Sequence, residues 1–245
     1  MSDFTLTHFT DDPDLAAVLD AAGVDRIGID LERLGKAKRQ EGANSWISQH
    51  EVGTLAELRP RLSRAKLLAR INPWNPASAD EIEEVLALGA EVVMLPFFKT
   101  IGDVAATLEA IDDRALLVPL VETVPALDIL EGIRDLGLHE IHFGLTDLRL
   151  EMGYPAFVPV FEDPRFEAAV ERAKAASLRY AIAGVARPGD TRLPIDPESV
   201  YRQMRRLGAR GALVSRSFIR PREEWSMLAD DIKALREAVA PQTVS

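Results

Sequence analysis

Residues that close successive apolar runs recur in this chain at a nearly constant interval. Arg70, Pro96, Glu122 and Asp147 are separated by 26, 26 and 25 positions. An interval of that size holds one strand, one helix and their loops, and eight such units in about 250 residues make a (β/α)8 TIM barrel. The chain has 245 residues. Eight rounds can be counted along it, with strands predicted at Phe4–His8, Arg26–Asp30, Lys66–Ile71, Glu91–Leu95, Leu116–Val121, Glu140–Phe143, Arg179–Ala183 and Ala212–Val214. Most of these runs are short, β-branched or Leu-rich, and bounded by polar, Gly or Pro residues, as buried parallel strands are. Helical segments lie between them. Ser78 to Gly89 has a Ser start, acids in its first turn, apolar Ile82, Val85 and Leu86, and a Gly stop; Asp196 to Gly208 repeats the design with Pro197 just inside the start. An open doubly wound sheet is the alternative arrangement, but the segment after the first strand, Thr7 to Pro13, has no glycine for a dinucleotide loop. No linker or change of composition divides the chain, so residues 1–245 are expected to form a single barrel domain.

Composition narrows the partners. Acidic side chains outnumber basic ones, 39 to 29, for a net charge of −10. That disfavours nucleic acid and anionic membranes, which both reward a basic face. With no cysteine there can be no disulfide, thiolate zinc site or cysteine nucleophile. No apolar stretch approaches the roughly 18 residues of a membrane span, and the first residues do not read as a secretory leader, so the cytoplasm is the expected location.

Glu122 and Asp147 bear most directly on function. Each follows an apolar run, Ala115 to Val121 and Glu140 to Thr146, and so reads as delivered by the C-terminal end of a buried strand. In a parallel barrel those ends form the rim on which chemistry is built. Two hard oxygen ligands on one rim suit a divalent cation such as Mg²⁺, which is commonly held by one or two carboxylates and leaves its other positions to water and substrate. The main irregular segment, Leu31 to Gly53, follows the second strand, and long loops in compact domains are usually functional.

The segments Arg70-Ile71-Asn72, Val93 to Pro96, Leu120-Val121-Glu122-Thr123, and Phe143 to Leu148 followed by Gly153 resemble, in order and spacing, the motif series of the HpcH/HpaI aldolase and citrate lyase β-subunit family. The resemblance runs from Asp25 to about Phe218. It implies a barrel of the phosphoenolpyruvate/pyruvate-binding type, dependent on Mg²⁺, Mn²⁺ or Co²⁺, usually a homo-oligomer, that makes or breaks a carbon–carbon bond next to a 2-oxo acid or an acyl-thioester. Carried onto this chain, it makes Glu122 and Asp147 the metal ligands and Arg70 the group that touches the reacting carbonyl oxygen. It also assigns the substrate carboxylate to the backbone amides of Gly144, Leu145 and Thr146.

One position departs from the pattern. Aldolases of the family carry a histidine after the second strand, and here Asp30 and Glu32 are kept while Arg33 stands at the histidine's place. His50 and Glu32 are therefore the candidate proton-handling groups. Lys36, Arg39 and Gln40 in the same loop suggest an anionic or polyhydroxylated acceptor. His8 carries no assignment, His142 reads as a core histidine, and the run Arg202 to Arg206 as the solvated face of a helix. Arg187 and Arg216 stand where barrels place phosphate or acid pockets. The reading this supports is a metal-dependent lyase joining pyruvate or a related 2-oxo acid to an aldehyde. A citrate-lyase-like enzyme acting on an acyl-CoA thioester is the alternative, and a catalytically silent oxo-acid-binding protein is the alternative of a different class.

Overall fold

A computed structural model describes residues 4–39, 48–182 and 184–240, apart from the side chain of residue 37. Within these residues nine strand segments run through the chain: β1 (Thr5–Phe9), β2 (Arg26–Asp30), β3 (Lys66–Arg70), β4 (Val92–Leu95), β5 (Leu116–Val121), β6 (Glu140–Phe143), β7 (Arg179–Ile182), β8 (Gly184–Val185) and β9 (Gly211–Val214). They alternate with α1 (Pro13–Ala22), α2 (Lys36–Arg39), α3 (Thr54–Leu58), α4 (Ser78–Ala87), α5 (Ile101–Ile111), α6 (Leu130–Asp135), α7 (Leu145–Met152), α8 (Pro164–Ala175), α9 (Pro197–Leu207) and α10 (Leu228–Val239). Every strand pairing is parallel. The order is β7-β6-β5-β4-β3-β2-β1-β9-β8. β7 and β8 flank residue 183 and fill one position of the circuit, paired with β6 on one side and β9 on the other. The result is the (β/α)8 TIM barrel, with strand ends within a residue or so of those predicted.

Strand periodicity divides the apolar residues between two cores. Leu67, Ala69, Val93, Leu95, Leu117, Val121, Ile141 and Phe143 point outward into the layer beneath the helices. Leu68, Val92, Met94, Val118 and Leu120 point inward and form a second cluster inside the barrel, with Phe9 packed on it. The inward set is not wholly apolar. Arg26 on β2 donates two hydrogen bonds to Glu140 on β6, at 2.7 and 2.8 Å, and these strands are four places apart in the circuit, so the pair spans the interior. Gly28 stands between Arg26 and Asp30 in the same parity, and a side-chain carbon there would lie 1.6 Å from the Leu68 carbonyl oxygen.

Helix ends follow local chemistry. Asp196 caps α9 by accepting from Glu198 N–H, and Gly208 stops it at φ +83°. At α4 the expected Ser cap is displaced by one residue: Ser78 is the first helical residue, and its hydroxyl accepts from Asn75 N–H to close the preceding turn. Among the described residues no helix is long and apolar enough to cross a membrane.

Candidate active site

The period of two that builds the inner core also builds the site. The next inward positions beyond Gly28, Leu68 and Leu120 are Asp30, Arg70 and Glu122, so three ionisable side chains meet at the C-terminal rim. Arg70 and Glu122 border a cavity of about 530 Å³, lined also by Phe9, Lys36, His142 and Asp147, and Asp30 stands behind Arg70. Such a volume is in the range that houses a small-molecule ligand.

Arg70 is fixed by a two-pronged pair with Asp30, Nε to Oδ1 at 2.7 Å and Nη2 to Oδ2 at 2.6 Å. Asp30 also accepts from Lys36 Nζ, the Ser48 hydroxyl and Glu32 N–H. Burial alone would raise its pKa, but the Arg70 and Lys36 cations outweigh it and hold Asp30 well below the usual carboxylate range. For Arg70, burial works against the charge, and Asp30 with Glu32 more than compensates, so the guanidinium stays protonated at any ordinary pH. Its ring-facing side lies 4.9 Å from the centre of Phe9.

Glu122 is 3% exposed. Its Oε1 accepts from Phe97 N–H at 3.0 Å. Phe97 adopts φ +48°, a left-handed conformation uncommon for a non-glycine residue, and this turns its amide toward the carboxylate. On the other side Glu122 lies against Gly144, where an added Cβ would come within 2.7 Å of Oε2. Burial, then the nearby Glu32 and Asp147, raise the Glu122 pKa well above its ordinary value. Asp147 is also buried, and its Oδ1 lies 3.7 Å from Arg39 Nε. It does not sit directly on a strand end, as the sequence suggested, but in the first turn of α7. Gly144 precedes that helix, and its N–H already donates to the Val121 carbonyl at 3.0 Å, whereas Leu145 and Thr146 open the helix in its first turn, where N–H groups have no intrahelical acceptor. All three residues line the cavity.

The donor set therefore offers two hard carboxylates at the cavity, of the type that suits Mg²⁺ or Mn²⁺. Burial first, and then the like charges of Glu32 and Asp147, raise the Glu122 pKa, and a carboxylate so placed would be eased by a bound cation. Among the described residues no group of three His, Cys, Asp or Glu side chains is arranged to hold a metal ion, so the remaining positions on such a cation would fall to water and substrate.

No protein-family model matches the sequence, and no curated protein matches it. Solved structures do match. An HpcH/HpaI aldolase from Desulfitobacterium hafniense DCB-2 is 15% identical, with 86% of each chain covered and a TM-score of 0.63. An HpcH/HpaI aldolase/citrate lyase family protein from Burkholderia cenocepacia J2315 is 17% identical over 97% of this chain and 95% of that one, with a TM-score of 0.65. The citrate synthase SbnG is 16% identical over 96% and 94%, with a TM-score of 0.61. The chain has the fold of the HpcH/HpaI aldolases. The first two neighbours carry the name of the family that the motif series resembles, although at such identity the likeness itself is one of fold.

Several sequence-predicted residues lie elsewhere than expected. Neither His50 nor Glu32 lines the cavity. His50 accepts at Nδ1 from Asp30 N–H at 3.0 Å, with Nε2 3.9 Å from Asp11; burial, aided by Arg216 and Arg70, lowers its pKa. Glu32 is fully buried and joins Lys36 Nζ at 3.0 Å and Arg39 Nη2 at 2.5 Å. Lys36 and Arg39 both pair with these acids; Lys36 also lines the cavity, whereas Arg39 does not and stacks 3.7 Å over the Phe97 ring. Gln40 lies outside the described residues. His8 is buried with Nδ1 2.8 Å from the Val214 carbonyl, and burial lowers its pKa to about 4. His142, read as a core residue, lines the cavity floor beside Leu120, its register partner. Arg187 is structural: it bonds the Phe218 carbonyl and Asp190, which also holds Arg192. Arg216 lines the cavity, as its strand-end position suggested. In the 202–206 run Arg202 and Arg206 are exposed, Gln203 and Arg205 are half-buried, and Met204 is buried in the core.

Proposed function

We propose that the chain is a metal-dependent carbon–carbon lyase of the HpcH/HpaI type, using pyruvate or a related 2-oxo acid as enolate donor and an aldehyde as acceptor. The observation that carries this reading is the convergence of Arg70, Glu122, Asp147 and the opening turn of α7 on one cavity. The amides of Leu145 and Thr146 suit the carboxylate of a 2-oxo acid, since a helix start combines N–H donors with the positive end of the helix dipole, while the Gly144 amide is already taken by the Val121 carbonyl. Arg70, aimed by its two bonds to Asp30, stands to receive the oxygen on which enolate charge develops. Its planar fork and permanent charge make it effective there without reorganisation. Glu122 and Asp147 would hold a divalent cation, whose chemistry when bound is to polarise the keto group. The acceptor would enter along the outer wall, where Phe157, Leu193, Pro194 and Ile195 line the cavity. This wall favours an aldehyde with an apolar body over the anionic or polyhydroxylated one suggested by the loop sequence.

The test is exchange of the pyruvate methyl protons with D₂O, followed by NMR in the presence of Mg²⁺, Mn²⁺ or Co²⁺. Exchange that disappears on chelation with EDTA and returns with the metal supports the reading. Exchange at full rate after exhaustive chelation, or none with any metal, overturns it.

A further inference from the structure

The carbon–carbon step needs a proton source for the acceptor oxygen, and the residues bordering the cavity narrow the choice. Arg70, Arg149 and Arg216 line it, but a guanidinium holds its protons too tightly to release one at neutral pH. Glu122 and Asp147 serve the cation in the reading above, on which this inference rests. His142 lies on the floor, one inward step below the level of Gly144 and Glu122, away from the rim by which an acceptor enters. Lys36 stands at the rim and lines the cavity although its side chain is only 4% exposed.

Its position is unusual for a lysine. Burying an ammonium group is costly unless it is paired. Here it is paired with two acids that each also hold a guanidinium: Asp30 has Arg70, and Glu32 has Arg39. Lys36 is thus the third cation, with Arg70 and Arg39, among four acids that include Glu122 and Asp147, and it is the one of these three whose charge is an ammonium at the cavity wall. Its Nζ bonds Asp30 Oδ2 at 3.2 Å and Glu32 Oε2 at 3.0 Å. An ammonium has three donors, and among the described residues the third has no partner. Arg70 Nη2 bonds the same Asp30 Oδ2 at 2.6 Å. The ammonium and the guanidinium are thus no further apart than the sum of two hydrogen bonds, side by side on one carboxylate oxygen.

We infer that Lys36 is a catalytic residue, the donor of the proton that the acceptor oxygen takes up as the new carbon–carbon bond forms. The enolate carbon of the 2-oxo acid attacks the aldehyde carbon and the carbon–carbon bond forms. The carbonyl π pair moves onto the aldehyde oxygen, an N–H bond of Lys36 breaks and an O–H bond forms. The amine left behind regains a proton from water. In cleavage the amine takes the hydroxyl proton back as the bond breaks. Arg70 serves the donor oxygen and Lys36 the acceptor oxygen, and Asp30 holds both in register.

The test separates the two halves of the reaction in the full-length protein. Pyruvate proton exchange reports enolisation alone, and aldol formation with an added aliphatic aldehyde reports the complete reaction. Lys36→Met should lose aldol formation by about 10²- to 10⁴-fold more than it loses exchange, the range for a positioned general acid. Lys36→Arg keeps the charge but cannot readily give up a proton, and should show the same split. If Lys36→Met does not fold, Lys36→Arg carries the comparison by itself. Recovery of aldol formation in Lys36→Arg would make the lysine a counter-ion only. Equal loss of both activities would make it part of the enolisation machinery, and an unchanged aldol rate would pass the proton to another group, with His142 next in line; each overturns the inference. Borohydride reduction with pyruvate should leave no covalent adduct on Lys36. An adduct would mean a Schiff base and would also overturn it. Absence of exchange in the wild-type protein with every metal would instead remove the aldolase reading itself.

Discussion

Asp30 ties the site together, and replacing it by Asn tests the electrostatic logic most directly. The carboxylate is 3% exposed and accepts from Arg70 twice, from Lys36, from Ser48 and from Glu32 N–H. Asn keeps the shape but removes the charge, and its amide turns one acceptor into a donor facing cations. Removing one partner of a buried ion pair costs about 3–5 kcal/mol. Glu32 remains within 3.0 Å of Lys36 and 3.6 Å of Arg70, so the low end, about 3 kcal/mol, is expected. For a domain of this size that is a fall in Tm of about 6–12 °C. The pH dependence has a definite sign. Asp30 titrates lower in the folded protein than the roughly 3.9 of an unfolded chain, so its contribution is complete above that value and is lost as pH falls toward the folded pKa. Denaturation curves of wild type and Asp30→Asn should therefore differ most at neutral pH and converge below about pH 4. A difference under about 1 kcal/mol at pH 7, or one that widens in acid, would refute the assigned pairing, since surface ion pairs contribute only that much.

Three further outcomes are expected. Glu122→Gln and Asp147→Asn should each abolish Mn²⁺ binding in a calorimetric titration; in the metal-free protein Glu122→Gln should raise Tm above neutral pH, because a carboxyl whose folded pKa is raised costs stability as pH climbs past its unfolded value. Gly144→Ala would bring a Cβ within 2.7 Å of Glu122 Oε2 and 2.9 Å of its Cβ, so pyruvate exchange should fall by at least about tenfold while far-UV circular dichroism is unchanged. His50→Ala would strip Asp30 N–H of its acceptor at a cost of about 1–3 kcal/mol, with turnover reduced by less than tenfold; a larger loss of turnover with Mn²⁺ binding intact would restore His50 as the proton shuttle.

The barrel was legible because its determinants are local. Short Leu- and Val-rich runs at a spacing near 26 residues specify βα units, and the inward parity that continues from Leu68 to Arg70 and from Leu120 to Glu122 carries the rim residues into place. Asp147 was legible as a rim acid but not as a helix residue. Gly144 ends its strand early, and the first turn of α7 accepts an acid as readily as a loop does. His142 is buried, as expected of a histidine within a strand, but burial says nothing about which side of the wall it faces; its register opposite Leu120, set by β5, puts it inside.

The charge network was the least legible part, for a reason that lies in the energetics of burial. Lys36 and Arg39 occur in a polar loop, where the default for such side chains is exposure. Their burial depends on acids that are themselves buried only because Arg70, forty positions beyond Asp30, closes the pair. No local pattern encodes that condition, and none encodes the left-handed turn at Phe97 that presents one amide to Glu122 and a ring to Arg39. The consequence is mutual dependence. Arg70 needs Asp30 to be aimed, Asp30 needs its cations to stay ionised, and Lys36 gains its place at the cavity only through the acids that Arg70 and Arg39 help to keep charged. Substitutions at Asp30, Lys36 and Arg70 should therefore be strongly non-additive in both stability and turnover, as they are for groups that share one hydrogen-bonded network.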